Sequence, residues 1–137
     1  MKIDRDKTIE QLEGKLWPEP EFDSNLIKTV HRLRRKPLRK FGAEDLRICI
    51  GQCEGMDYLV PIAIEKLRKN PMISGALFEG DLLSAVINVS QDFWKANPDL
   101  KSEMSDVLRA ARAIARHNDQ AAEIDECILG LSKIERR

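Results

Sequence analysis

Apolar residues along this chain recur mostly three and four positions apart, the spacing that stacks side chains on one face of a helix. Ile9, Leu12 and Leu16 open the pattern behind Thr8-Ile-Glu-Gln11, which fits a capping box. A short helix is expected from about Thr8 to Glu13, with Gly14 to end it. Trp17-Pro-Glu-Pro-Glu-Phe22 carries two prolines and reads as an extended connector, its Trp17 and Phe22 packed on the core. Leu26, Ile27, Val30 and Leu33 form the next stripe. Asp23 or Ser24 can cap it, and it should end near Lys36 because Pro37 disfavours helical geometry in the residue before it.

Leu46, Ile48, Cys49, Ile50 and Cys53 fill a following helix so densely that burial on more than one side is expected. Glu44 and Asp45 sit in its first turn, where the helix dipole favours acids. Gly51 and Gly55 bracket Gln52-Cys-Glu54 and mark a helix end or a tight backbone approach. Met56 to Lys69 is the next helix; Pro61 suits a first turn, which would leave Asp57 to Val60 in a separate short turn. Asn70-Pro71 closes it, and Ile73 to Gly80 reads as a loop with one apolar stretch. Asp81 is a good N-cap for a core helix over Leu82 to Val89, whose β-branched content keeps a strand open as an alternative. Ser90 can cap a short turn carrying Phe93 and Trp94. Asn97-Pro98 starts a helix whose apolar positions, Leu100 through Ala115, keep a helical period to about His117. Asn118-Asp119 breaks it, and Ala121, Ile124, Ile128, Leu131 and Ile134 follow. The pattern predicts an all-α fold of about six to eight helices in a single domain over 1–137, ending in a helical hairpin over 98–135. No repeat appears at solenoid spacing.

Composition changes this picture little. A length of 137 residues suffices for one core without staples. With 34% charged residues spread among apolar ones in every segment, the chain suits a well-solvated surface rather than disorder. Its formal net charge of zero provides no global field for nucleic acid. Local charge is uneven: seven Lys/Arg against two acids from His31 to Arg47, and six acids against three bases from Ile48 to Trp94. Three cysteines are an odd number, the first residues are charged, and no stretch nears the ~18 apolar residues of a membrane helix. A reducing cytoplasm is the expected location, with no membrane partner.

Candidate chemistry is sparse. No nucleophile elbow, zinc-protease helix or phosphate loop is present, and no Cys-His-Asn order stands out. Cys49 and Cys53 lie one helical turn apart and could reach a common metal, but Cys127 and two distant His residues complete no standard spacing, so they read as small buried hydrophobes. His31, among apolar residues, reads as a packed or surface group. The basic run Arg32 to Lys40 lacks the aromatic interleaving of a nucleic-acid contact and reads as a solvated helix end. These features point away from an enzyme, a cofactor or a metal and toward a binding module. The alternative is a helical nucleic-acid-binding, scaffold or regulatory module using the 32–40 run.

Three phrases carry a more specific signal: Leu33-Arg-Arg-Lys-Pro-Leu, Glu44-Asp-Leu-Arg followed by Ile50-Gly-Gln, and Glu79-Gly-Asp-Leu-Leu83. Between them lie Gly55, Tyr58-Leu-Val-Pro-Ile-Ala63 and Asn70-Pro71, and Phe93-Trp94 closes the series. In this order they resemble the immunity proteins of bacterial contact-dependent growth inhibition (CDI) systems, the CdiI family, over a core of 33–94. At 74–78, where that family tends to acidic and aromatic residues, this chain has Ser-Gly-Ala-Leu-Phe. The resemblance implies a stoichiometric inhibitor that binds the cognate CdiA C-terminal toxin domain and covers its active site or substrate cleft. Many such toxins are nucleases, often tRNA-cleaving. It implies no direct nucleic-acid contact. Since the matching residues are mostly fold-makers, toxin contact is expected from the acids between them: Glu54, Asp57, Glu79 and Asp81, with Glu19, Glu21 and Asp23 as a second patch.

Overall fold

The computed structural model describes residues 3–18, 24–115 and 119–135. Among these are eight α-helices and no strand. The helices are α1 (Ile9–Glu13), α2 (Asn25–Leu33), α3 (Ala43–Gly51), α4 (Met56–Lys69), α5 (Asp81–Ile87), α6 (Gln91–Ala96), α7 (Pro98–Ile114) and α8 (Asp119–Glu135), with one 3₁₀ turn at Leu38–Lys40.

Most boundaries follow from local hydrogen bonding. Thr8 Oγ1 accepts from the Gln11 N–H at 3.2 Å while Gln11 Oε1 accepts from the Thr8 N–H at 2.9 Å, so the capping box forms in full. Ser24, not Asp23, caps α2, accepting from the Ile27 N–H. Ser90 does the same for α6 through Phe93. Asp45 Oδ2 accepts from the Gly42 N–H at 3.1 Å, the half of a capping box that needs no side chain at the N-cap.

Helix α2 stops at Leu33 rather than near Lys36, and three residues at or near helix ends play other parts than the sequence suggests. Pro61 lies at the sixth position of a continuous α4 rather than in a first turn. A proline there removes one backbone bond and costs about 3 kcal/mol. Burial of Leu59, Val60, Ile62, Ala63, Ile64 and Leu67 on the same helix outweighs that cost, at roughly 1.5–3 kcal/mol for each large apolar side chain. The N-cap of α5 is Gly80, in the left-handed region at φ 86°, and Asp81 is the first helical residue. Asn97 stands before Pro98 as expected, but its Nδ2 donates back to the Phe93 carbonyl at 2.9 Å and closes α6 instead of capping α7.

Helix α4 lies at the centre, packed on α3, α5 and α7, which explains why it is buried on several sides. Helix α8 packs on α5, α6 and α7. Trp94, 1% exposed, fills the core beneath α6, its ring edge-on to Phe93 at 5.4 Å. The N-terminal segment is strapped along the 3₁₀ turn: Leu38 and Arg39 donate to the carbonyls of Lys7 and Arg5 at 3.0 and 2.9 Å. Ile9 is fully buried against Gly55, where a side chain would find the Ile9 Cδ1 only 2.9 Å away. Gly55 also has φ 62°, so the turn between α3 and α4 needs glycine for space and for backbone geometry alike.

Candidate functional site

Helices α3 and α4 pack on one another, and Glu44 in the first turn of α3 bonds Ala76 in the loop that follows α4, which decides which acids can share a surface. The turn joining them, with Glu54 and Asp57, lies at one end of the pair. The start of α3, with Glu44, and the loop leaving α4, with Glu79 and Asp81, lie at the other. From Asp57 to Lys69 alone the rise is about 18 Å. The four central acids expected from sequence therefore form two separate groups, not one patch.

At the first end Glu54 has an internal task. Arg34, 1% exposed, donates to Glu54 Oε1 at 2.9 Å and pairs with Glu13 at 2.8 Å. It also donates to the Lys15 carbonyl at 2.9 Å, and its guanidinium lies 4.8 Å from the Trp17 ring centre. A buried cation needs such company, since desolvation otherwise outweighs its attraction; the buried Arg34 Nε alone finds no hydrogen-bond partner among the described residues. Trp17 is thus half-buried over Arg34 and near His31, itself a buried packing residue. Asp57 is exposed. It borders an open groove of about 480 Å³ where Asp99 and Glu103 share the wall with Ile3, Pro61 and Leu100.

Three further cations of the basic run pair within the chain, although Arg35 and Arg39 do so at the surface, 50% and 61% exposed. Arg35 pairs with Glu10 at 3.2 Å, Lys36 with Asp45 at 2.7 Å, and Arg39 with Asp6. Together with Arg34, these cations join the helix ends to one another.

At the second end the loop after α4 is built around two carboxylates. Asp81, 2% exposed, accepts from the backbone N–H groups of Gly75 (2.6 Å), Leu77 (3.0 Å) and Phe78 (3.3 Å). Glu44 Oε1 accepts from the Ala76 N–H at 3.0 Å, and Arg47 holds both Glu44 oxygens at 2.6 Å. Arg47 Nε also lies 3.9 Å from Asp81. Hydrogen bonding to Arg47 holds the Glu44 carboxyl below its ordinary range and raises Arg47 in turn. Gly75 passes so close that a Cβ there would lie 2.6 Å from Glu44 Oε1. The Gly80 N–H bonds the Met72 carbonyl at 3.1 Å, and Gln120 Nε2 donates to the Glu79 carbonyl at 3.2 Å. This fastened loop holds Leu77 and Phe78 outward, 63% and 50% exposed, beside an exposed Glu79.

Of the residues expected at a contact surface, Asp57 and Glu79 are therefore open to solvent. Glu54 is half-buried on Arg34, and Asp81 is enclosed, where it cannot meet another molecule. Glu19, Glu21 and Asp23 lie outside the described residues, as does Phe22. The outward pair Leu77-Phe78 was not among the expected contact residues; sequence marked it only as part of the apolar departure from the family at 74–78.

Among the described residues no group of acids, His and Cys is arranged to hold a metal. The cysteines are free thiols. Burial first, then the nearby Asp45 and Glu54 charges, pushes Cys49 up to about 12, and burial pushes Cys127 up to about 11. No helix among the described residues is long and apolar enough to cross a membrane.

The family model described as CDI immunity proteins matches residues 11–104, which take in both carboxylate-braced ends. No curated protein matches the chain.

Proposed function

The chain belongs to the CDI immunity proteins, and on that premise we propose that it neutralises the C-terminal toxin domain of its cognate CdiA effector by binding it one to one. The family match over 11–104 is the observation that carries this reading. We take the toxin to be a nuclease, with tRNA the first substrate to try, and its active site or substrate cleft to be what the immunity protein covers. In this role the chain transforms no substrate and needs no cofactor; it acts in the cytoplasm of the cell it protects, a setting that suits free thiols.

Asp57 and Glu79 are the acids whose exposure suits direct contact, and the groove beside Asp57 adds Asp99, with Glu103 already paired to Arg68 at 3.0 Å. Acids facing a cationic cleft speed encounter and reject mismatched toxins. Glu54 and Asp81 support such a surface from within, by fixing Arg34 and the loop. Glu19, Glu21 and Asp23 remain proposed as a second acidic contact patch. The rival nucleic-acid reading loses ground because Arg34, Arg35, Lys36 and Arg39 are joined to acids of this same chain.

Calorimetry with the toxin domain encoded beside this chain's gene tests the proposal. A one-to-one complex that stops cleavage of a tRNA pool is the expected result. Asp57→Lys with Glu79→Lys should weaken the complex and leave the protein folded. No heat of binding at micromolar concentrations, together with a salt-sensitive RNA gel shift by the immunity protein alone, would favour the rival.

A further inference from the structure

The 74–79 loop spends much polar chemistry to keep two large apolar side chains out of the core. Leu77 and Phe78 stand 63% and 50% exposed at consecutive positions. The Asp81 carboxylate binds both of their own backbone N–H groups, and Glu44 binds that of Ala76. A loop tip left to itself would fold such residues inward or move freely. Here the backbone beneath them is fixed before any partner arrives, which lowers the ordering cost of association. The other exposed large hydrophobics stand singly or on helix faces: Leu16 follows α1, Leu26 and Ile27 lie on α2, Ile114 ends α7 and Leu129 lies on α8.

The charges around the pair indicate what it meets. Glu79 follows it directly and is exposed. Beneath it two carboxylates, Glu44 and Asp81, stand against one guanidinium, Arg47. A second copy of this chain, meeting through the same patch about a twofold axis, would bring acid against acid.

We infer that Leu77 and Phe78 form the apolar anchor by which this chain seats in its toxin, entering a recess whose rim is cationic. The inference rests on the immunity reading above. A few side chains packed into desolvated pockets carry most of the affinity in many interfaces. Glu79 faces that rim from this side, and Asp81 is the positioning residue that aims the pair.

The test is calorimetry of the full chain against the toxin domain encoded beside it, with Leu77→Ala, Phe78→Ala and, as a control, Leu129→Ala. Phe78→Ala should weaken binding on the order of 30-fold and Leu77→Ala by about 10-fold. Leu129→Ala should bind like the parent, and circular dichroism should show all three folded. If both loop variants bind within about threefold of the parent, the anchor is wrong and the immunity reading stands. If Leu129→Ala loses as much as Phe78→Ala, the anchor lies elsewhere. Failure of the parent itself to bind that toxin would overturn the reading beneath. Concentration-dependent dimers that vanish in Phe78→Ala would make the loop a self-contact and overturn the inference as well.

Discussion

Asp81→Asn changes one atom and should cost this protein a large share of its stability. The carboxylate accepts from Gly75 through Oδ1 and from Leu77 and Phe78 through Oδ2. Asparagine keeps the volume and one acceptor oxygen. Placed toward Gly75, that oxygen keeps the 2.6 Å bond but loses its charge assistance, about 1 kcal/mol. The amide nitrogen then faces the N–H groups of Leu77 and Phe78, donor against donor. Each lost bond to a charged acceptor is worth roughly 1.5–3 kcal/mol when buried, but both residues are exposed and water takes up part of the loss. The sum is about 2–4 kcal/mol, against a total of about 5–15 kcal/mol for an ordinary domain. Urea unfolding followed by Trp fluorescence and far-ultraviolet circular dichroism reads this directly, with an unchanged m-value showing that only stability moved. Hydrogen exchange at the amides of residues 77 and 78 should accelerate by more than about tenfold, and less at the retained Gly75 amide, since these opened bonds are local. A shift below about 0.5 kcal/mol with unaltered exchange would refute the claim that this carboxylate holds the loop.

The two acids of the α3–α4 turn should separate cleanly: Glu54→Lys sets a cation against the buried Arg34 and should cost about 2–4 kcal/mol, less than a wholly buried pair because Glu54 is partly exposed. Asp57→Lys, exposed in the first turn of α4, should cost only the helix-dipole contribution, about 1 kcal/mol, by the same denaturation. Acid should destabilise the fold in part through Glu44 and Glu65, both held low by hydrogen bonds, from Arg47 and Arg5. A depressed carboxyl contributes stability above its unfolded value of 4.5 and loses it as pH falls through the lower folded value, so Glu44→Gln should flatten stability against pH below 4.5 and leave the slope near neutrality unchanged. Thiol labelling of the native protein should modify exposed Cys53 first and reach Cys49, held near 12 by burial, only on unfolding; fast labelling of Cys49 would mean the α3 interior opens.

What the sequence determined by itself was whatever depends on near neighbours. The Thr8–Gln11 box, the Ser24 and Ser90 caps and the stop at Asn70 each need a partner three or four residues away, and the hydrophobic period needs only the helix pitch. The all-α class and the family phrases were legible on those grounds. The tertiary structure decided the rest. Glu54 became Arg34's partner across 20 residues of sequence, and Ala76 met Glu44 across 32. Pro61 stayed inside α4 because core burial outweighed a lost backbone bond. Asp81, a cap by its neighbours, turned instead to the loop before it, and Leu77 and Phe78, apolar enough for a core, were left outside. The physical reason is common to all of these: whether a charge is free or engaged, and whether an apolar side chain is covered, depends on which distant groups the fold brings within a few ångströms, and spacing along the chain carries no record of that.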